Sequence, residues 1–177
     1  DMGSVKADWV YLLHPRPAFV VCSSAENVYD CLAASWVTPV SREPPILMVA
    51  LSPRRATYSL IKSSGKASVN VLDWSMLDVL HYLGTTSLYK NPNKMANPNI
   101  KTSISDGYVR IEGALAVLYC SLRTFLNMGD HDAVFLDVVA VDVNRGYKPK
   151  AEVASYNYIL HVGGSEYTTN VNSVMVL

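Results

Sequence analysis

The chain has 177 residues, half of them hydrophobic and only 17% charged, a composition that excludes an intrinsically disordered protein. Its 15 basic and 15 acidic residues give a formal charge of zero at pH 7, and no basic run occurs, so nucleic acid is not an expected partner. The length predicts a single domain, residues 1–177, large enough to bury a core.

Most predicted elements are β-strands, which are rich in branched and aromatic side chains and are bounded by turn residues. In chain order they are predicted at residues 18–22, 46–51, 67–72, 108–122, 134–143 and 161–164. Helices are predicted at residues 53–63 and 76–83, and a loop at residues 87–99. Many strands without βαβ alternation favour a mainly β fold, a barrel or sandwich with inserted helices. Because such sheets must close or pair their edges, a dimer is expected.

The first predicted helix has a start that suits an anion. Ser52 is its predicted N-cap and Gly65 its stop. Unpaired N–H groups and the helix dipole favour negative charge there, and this start adds Arg54, Arg55 and the hydroxyl of Thr57. Arginine forks and hydroxyls match phosphate geometry, so a phosphate site is one interpretation. A solvated basic turn with an ordinary serine cap is the other.

A run of small residues lies upstream of this helix. Ala34 and Ser35 would let a flat ligand approach the backbone, and Trp36 either stacks on that ligand or packs in the core. Thr38 offers a hydroxyl beside them. Asn70, inside an apolar predicted strand, needs a partner if it is buried, which a ligand edge or the neighbouring backbone would supply.

The cysteines and the hydropathy predict the compartment. The three cysteines match no metal or redox spacing, and we expect free thiols in an intracellular protein. They are Cys22, Cys31 and Cys120. No apolar run is long enough to span a bilayer and no signal peptide is visible, so we expect a cytoplasmic protein without a membrane partner.

The segment NVYDCLAASWVTPVSREPPILMVALSPRRATYSLIKSSGKASVNVL, at residues 27–72, resembles the flavin reductase-like domain family, which includes flavoredoxins and two-component flavin reductases. Shorter likenesses follow in order along nearly the whole chain. They are LHPRP at 13–17, GTTS at 84–87 with Lys94, GDH at 129–131, and Gly163-Gly164 with Tyr167-Thr168. The resemblance implies an FMN-binding split β-barrel of Greek-key topology, forming a homodimer with FMN near the subunit interface.

The resemblance also implies roles for individual residues. The residues whose backbone would line the isoalloxazine ring are Ala34, Ser35 and Trp36. The residues that would hold the phosphate are Ser52, Arg55 and Thr57, joined by Arg54 from the anion argument. Asn70 would lie near the flavin, Lys94 is a further phosphate candidate, and Thr38 is included in the cofactor set.

The activity implied by the resemblance is that of an NAD(P)H:flavin oxidoreductase, which passes a hydride from NADH or NADPH to FMN and onward to a partner protein or free flavin. His131 would lie on the nicotinamide side, unless it is a structural turn residue beside Asp130. The alternatives are a flavoredoxin-like FMN-binding electron carrier without efficient NAD(P)H oxidation, and an oxidase acting on a phosphorylated pyridine ring.

Two further sequence features bear on the activity. No GxGxxG follows a predicted strand, so no Rossmann site is expected, and the mutual spacing of His14, His81 and His161 predicts no metal site. The chain departs from the family at residues 24–30, where a glycine- or aspartate-rich turn is usual, and at Leu136, where a glycine is frequent. The first departure affects the surroundings of the ring, and the second affects how a nicotinamide would fit.

Overall fold

A computed structural model of the chain describes residues 3–150 and 155–177. The strands of the described residues are β1 (Arg16–Pro17), β2 (Phe19–Ala25), β3 (Val28–Ala34), β4 (Val37–Ser41), β5 (Ile46–Leu51), β6 (Lys66–Val71), β7 (Thr102–Ser105), β8 (Tyr108–Ile111), β9 (Ala116–Asn127), β10 (Asp132–Val143), β11 (Leu160–Gly163) and β12 (Glu166–Thr168). The helices are α1 (Ala56–Ser64), α2 (Leu77–Thr85) and short 3-10 turns at Ala7–Leu13, Trp74–Met76 and Lys94–Ala96.

The main sheet has seven antiparallel strands in the order β3-β2-β6-β9-β10-β5-β4. Its edge strands, β3 and β4, are consecutive in the chain and are joined only by Ser35 and Trp36. A flat sheet would separate these edges by roughly 29 Å, whereas the link reaches about 11 Å at most. The sheet therefore curls until its edges meet at Ser35 and Trp36, and the β4–β5 ladder extends into this link, where Ala50 N donates to Trp36 O over 2.9 Å. We call this join the seam; the predicted mainly β barrel is confirmed.

The core lies on both faces of the sheet. Val20 and Val21 are neighbours on β2, both are fully buried, and they belong to separate apolar clusters. Since successive side chains of a strand point to opposite faces, β2 is covered on both sides. The Val20 cluster includes Leu80 and Leu83 of α2, whereas the Val21 cluster includes Ile61 of α1. The two helices thus cover opposite faces of β2.

The predicted strands differ from the observed ones mainly at irregular positions. The strand at 46–51 is confirmed as β5, but the predicted strand at 108–122 is two strands, broken near Gly113, whose φ is +88°. β3 and β4 were not predicted. β4 contains Pro39, which has no N–H to donate to a ladder and therefore suits an edge strand.

The start of α1 lies further along the chain than predicted. Its N-cap is Arg55, not Ser52, because Arg55 N donates to Ser52 O over 3.1 Å and closes a turn before the helix begins. The Ser52 hydroxyl accepts from the N–H of Arg54 at 3.3 Å instead of capping α1. The predicted stop is confirmed, since Gly65 adopts a left-handed conformation with φ of +72°.

The expectation of three free thiols is wrong for two of them. Cys22 and Cys31 form a disulfide, because the β2–β3 hairpin places them directly opposite each other. Cys120 is a buried free thiol, and burial raises its pKa to about 12. Among the described residues, the structure has no helix that is both long and apolar enough to span a membrane.

Candidate functional site

A cleft composed of three adjoining cavities runs from the seam to the start of α1. The first, the seam cavity, has a volume of about 190 Å³ and is lined by residues that include Ala34, Ser35, Trp36, Arg55, His131 and His161. The second, the arginine cavity, has about 130 Å³, and its lining includes Arg54, Arg55, Gly84, Ser87 and Lys94. The third, the α2 cavity, has about 140 Å³, and its lining includes Ala34, Ser35, Leu80, Gly84, His161 and Tyr167. Each cavity shares lining residues with the other two.

Two larger cavities, of about 430 Å³ each, lie elsewhere. One is walled almost wholly by apolar side chains such as Phe19, Leu47 and Val138. The other lies beside Tyr108 and Tyr119. Neither brings together the paired arginines and the histidines, so the cleft is the better candidate for chemistry.

The arginine cavity holds positive charge at the first turn of α1. Arg54 and Arg55 both line it, and one guanidinium nitrogen of Arg55 donates to Gly84 O over 3.3 Å. Neither arginine forms an ion pair within the described part of the chain. The first amides of a helix lack intrahelical acceptors, so this corner is suited to a phosphate.

A buried ion pair lies beneath the arginine cavity. Lys94 Nζ is 2.9 Å from Asp30 Oδ1, and both side chains are almost fully buried. Lys94 also donates to Cys31 O over 2.6 Å, while the Thr57 hydroxyl donates to Asp30 Oδ2 over 2.8 Å. Burial lowers the pKa of Lys94, the bonded Asp30 carboxylate opposes that shift, and the charge of Arg55 adds to it. The hydroxyl of Thr57 is therefore already bonded within the protein, and the charge of Lys94 is already paired.

The seam cavity is walled by aromatic and imidazole rings. The rings of Trp36 and His131 pack at 4.7 Å between centroids, tilted by 43°. His131 Nδ1 lies 2.7 Å from Asp130 Oδ1, so the carboxylate orients the imidazole. The Trp36 indole N–H donates to His14 Nε2 over 3.3 Å. The predicted residues Ser35, Trp36 and His131 are thus brought together at the seam.

Two of the remaining three histidines also border the cleft, which the sequence did not predict, and the third contacts a residue of the cleft wall. His14 and His161 line the seam cavity, and His81 Nδ1 lies 3.0 Å from the hydroxyl of Tyr167 on the α2 cavity. Burial raises the pKa of Tyr167. Among the described residues no three His, Cys, Asp or Glu side chains are grouped for a metal ion. The sequence could have indicated a place in the cleft for His14 and His161 only through their proximity to family-like motifs.

Three predicted site residues do not line the cleft, namely Thr38, Asn70 and the fully buried Thr57. Thr38 lies on β4, where its hydroxyl donates to Pro39 O. Asn70 is fully buried; its amide nitrogen donates to Val20 O over 3.2 Å, and its oxygen accepts from Ile111 N over 2.9 Å. Of the two possible partners for Asn70, a ligand edge or the neighbouring backbone, the structure shows the backbone.

The comparisons with known proteins agree with this architecture. The family model described as "Flavin reductase like domain" matches residues 11–163. A protein from Pyrococcus abyssi is 30% identical over 165 residues, covering 89% of this chain and 92% of its own length. The reductase subunit HsaB of a flavin-dependent monooxygenase from Mycobacterium tuberculosis is 31% identical, covering 74% of this chain and 67% of its own length. The crystal structure of an FMN-binding protein from Thermus thermophilus with bound p-hydroxybenzaldehyde superimposes with a TM-score of 0.86 at 26% identity, covering 99% of this chain and all of that one.

Proposed function

The chain belongs to the flavin reductase-like domain family, and from that premise we propose that it binds FMN in the cleft and acts as an NAD(P)H:flavin oxidoreductase. The proposal depends on the difference between the two ends of the cleft. One end holds two arginines without a paired carboxylate among the described residues, and the other is a slot between small side chains and aromatic rings. The two ends of FMN match this arrangement, since the molecule has a phosphate at one end and a flat ring at the other.

The residues present fit the phosphate end of FMN. Arg54 and Arg55 would hold the phosphate with charge-assisted hydrogen bonds, and the first amides of α1 would complete its coordination. Ser87 lines the same cavity and adds a hydroxyl. Thr57 and Lys94 would act from beneath, by keeping the start of α1 in place through Asp30.

The residues at the seam fit a flat ring. Ala34 and Ser35 have side chains small enough to leave the backbone accessible, while Trp36 and His131 wall the far side. When bound, FMN would supply the hydride chemistry, accepting two electrons from a nicotinamide. The protein's task is to orient the reactants and exclude water. Because Asp130 bonds Nδ1 of His131, the Nε2 atom is the one left to contact a nicotinamide.

The likeness to the HsaB reductase subunit supports the reductase over a carrier that does not oxidise NAD(P)H. Leu136, which raised a question about nicotinamide binding, is fully buried in the core and does not line the cleft. The proposal includes a homodimer, NADH or NADPH as donor, a partner protein or free flavin as acceptor, and a cytoplasmic location. Sedimentation velocity of the purified chain tests the dimer.

The deciding experiment is an anaerobic titration followed by absorbance. The purified chain, saturated with FMN, is mixed with NADH and in a parallel run with NADPH. Bleaching of the flavin band within turnover time supports the reductase and identifies the donor. Flavin that stays oxidised until dithionite is added supports the electron carrier instead. Failure to bind FMN at all, judged by equilibrium dialysis, overturns both.

A further inference from the structure

Ser35 and His161 are hydrogen-bonded where the seam cavity meets the α2 cavity. The Ser35 hydroxyl oxygen lies 3.2 Å from His161 Nδ1, and both residues line both cavities. The backbone holds them in register, because Arg16 is paired with His161 in the β1–β11 ladder and donates from Nε to Ser35 O over 2.9 Å. The pair is therefore a fixed feature of the cleft wall.

The partners of His161 determine its tautomer. Its Nε2 lies 2.9 Å from Gly164 O, and a carbonyl oxygen only accepts, so Nε2 carries the proton. In the neutral imidazole Nδ1 is then an acceptor, and the Ser35 hydroxyl must donate to it. With its one hydrogen engaged, the Ser35 oxygen has only lone pairs to offer the cleft.

We propose that His161 sets the hydrogen-bonding polarity of Ser35, which is an acceptor toward the cleft when His161 is neutral and a donor when it is protonated. A proton taken up from solvent binds Nδ1, which then donates to the Ser35 oxygen. The hydroxyl hydrogen is released from this bond and rotates toward the cleft. No covalent bond of Ser35 changes, and the gain is one proton on the imidazole.

The groups around His161 make this reversal specific to Ser35. The titratable and charged groups near its ring in the described part of the chain are Tyr11, His14, Tyr167, Arg16, Glu166, Arg55, His131 and, through Tyr167, His81. His14 donates from Nδ1 to His161 O and accepts the Trp36 indole N–H at Nε2. An indole only donates, so protonation of His14 breaks that bond, whereas the Ser35 hydroxyl donates or accepts equally well.

The reversal of Ser35 has a consequence for FMN, which rests on the proposed function. The edge of an oxidised isoalloxazine offers several acceptors and one donor, N3–H, and reduction adds a donor at N5. A donating Ser35 therefore favours oxidised FMN over reduced FMN, and an accepting Ser35 favours the reverse. Between about pH 8 and about pH 5, where imidazoles titrate, we expect the ratio of the two dissociation constants to change about three- to tenfold.

The first test needs no cofactor. Imidazole nitrogen NMR of the full chain, freed of flavin, should show His161 as the Nε2–H tautomer at alkaline pH. Ser35→Ala should shift the titration midpoint of His161 and Ser35→Thr should restore it, while His81→Gln, which removes a histidine that does not contact Ser35, should leave it unchanged. An Nδ1–H tautomer, or a midpoint insensitive to Ser35→Ala, overturns the proposal.

The second test measures the dissociation constants of oxidised and reduced FMN across the same pH range. The wild-type ratio should follow the His161 titration, and Ser35→Ala should abolish that dependence. A ratio that does not change with pH in the wild type overturns the switch at the cofactor. Failure to bind FMN would overturn the proposed function, and the NMR result would still decide whether His161 reverses Ser35.

Discussion

The two ends of the cleft are built by opposite means. The arginine cavity is lined by charged side chains, because Arg54 and Arg55 border it above the buried Lys94–Asp30 pair. At the seam, most residues are small or aromatic, and each of His14 and His161 has one ring nitrogen bonded to a carbonyl oxygen and the other bonded to a side chain. Charge therefore anchors a ligand at one end, and shape with hydrogen-bonding polarity sets its chemistry at the other.

This division separates binding from reactivity. The paired arginines keep their charge over the pH range in which imidazoles titrate, because guanidinium stays protonated, and the ionisation of the phosphate itself acts alike on oxidised and reduced FMN. The imidazole-lined end responds to pH without loss of the anchor. Variants at the two ends should accordingly affect different measurements.

Removing the carboxylate beneath the arginine cavity should have the largest effect. Asp30→Ala leaves Lys94 buried without its partner and deprives the Thr57 hydroxyl of its acceptor. We expect a loss of about 3–5 kcal/mol in the free energy of unfolding, measured by urea denaturation. The matched control is Asp30→Ala with Lys94→Met, which removes both charges and should recover most of the loss. Equal stability of the single and double variants would contradict an ion pair at this position.

Removing the two arginine charges at the same end should instead affect binding. Arg54→Gln with Arg55→Gln removes two charge-assisted contacts to the phosphate, so the dissociation constant of FMN should rise at least about 100-fold, measured by fluorescence titration. Riboflavin, which lacks the phosphate, is the matched ligand and should bind both proteins equally. A parallel loss of riboflavin affinity would show that the arginines shape the ring slot rather than anchor the phosphate.

The contrast between the two ends also marks what could be predicted from the sequence. Arg54 and Arg55 were identified because a charged pair near a helix start is a local pattern. The orientation of Thr57 was not, because its partner Asp30 is 27 residues away on β3. The same holds for His161, whose partner Ser35 is 126 residues distant. Local patterns predict the anchor, whereas the seam depends on long-range pairing.

The fold was predictable to a similar extent. β5 carries a continuous apolar run and was predicted to the residue, whereas β3 mixes polar and small side chains and was missed. The Cys22–Cys31 disulfide follows from the β2–β3 register, which spacing alone does not determine. Asn70 suits an apolar strand because backbone groups of β2 and β8 satisfy it, an arrangement visible only once the strands are paired.

Crowding the contact between α2 and β3, beside the α2 cavity, should have a smaller effect on both stability and binding. A Cβ on Gly84 would lie 2.8 Å from Ala33 Cβ, so Gly84→Ala forces α2 away from β3. We expect a loss of about 1–3 kcal/mol in unfolding free energy and weaker binding of both FMN and riboflavin. Ala33→Gly in the same chain removes the opposing methyl group and should restore binding. Unchanged affinity in Gly84→Ala would mean that the ligand does not reach the α2 cavity.

His131 tests the seam end alone, and its effect should be the smallest. The side chain is partly exposed, packs on Trp36 and, among the described residues, is hydrogen-bonded only to Asp130, so His131→Ala should change stability and FMN affinity little. Stopped-flow reduction by the preferred nicotinamide should nevertheless slow about tenfold, since the Nε2 contact and one wall of the slot are lost. Asp130→Asn is the matched variant, because it keeps the ring but weakens its orientation, and should give an intermediate rate. If His131→Ala is reduced as fast as the wild type, His131 is a structural turn residue, and the seam contributes to the reaction through Ser35 and His161 rather than through a nicotinamide contact.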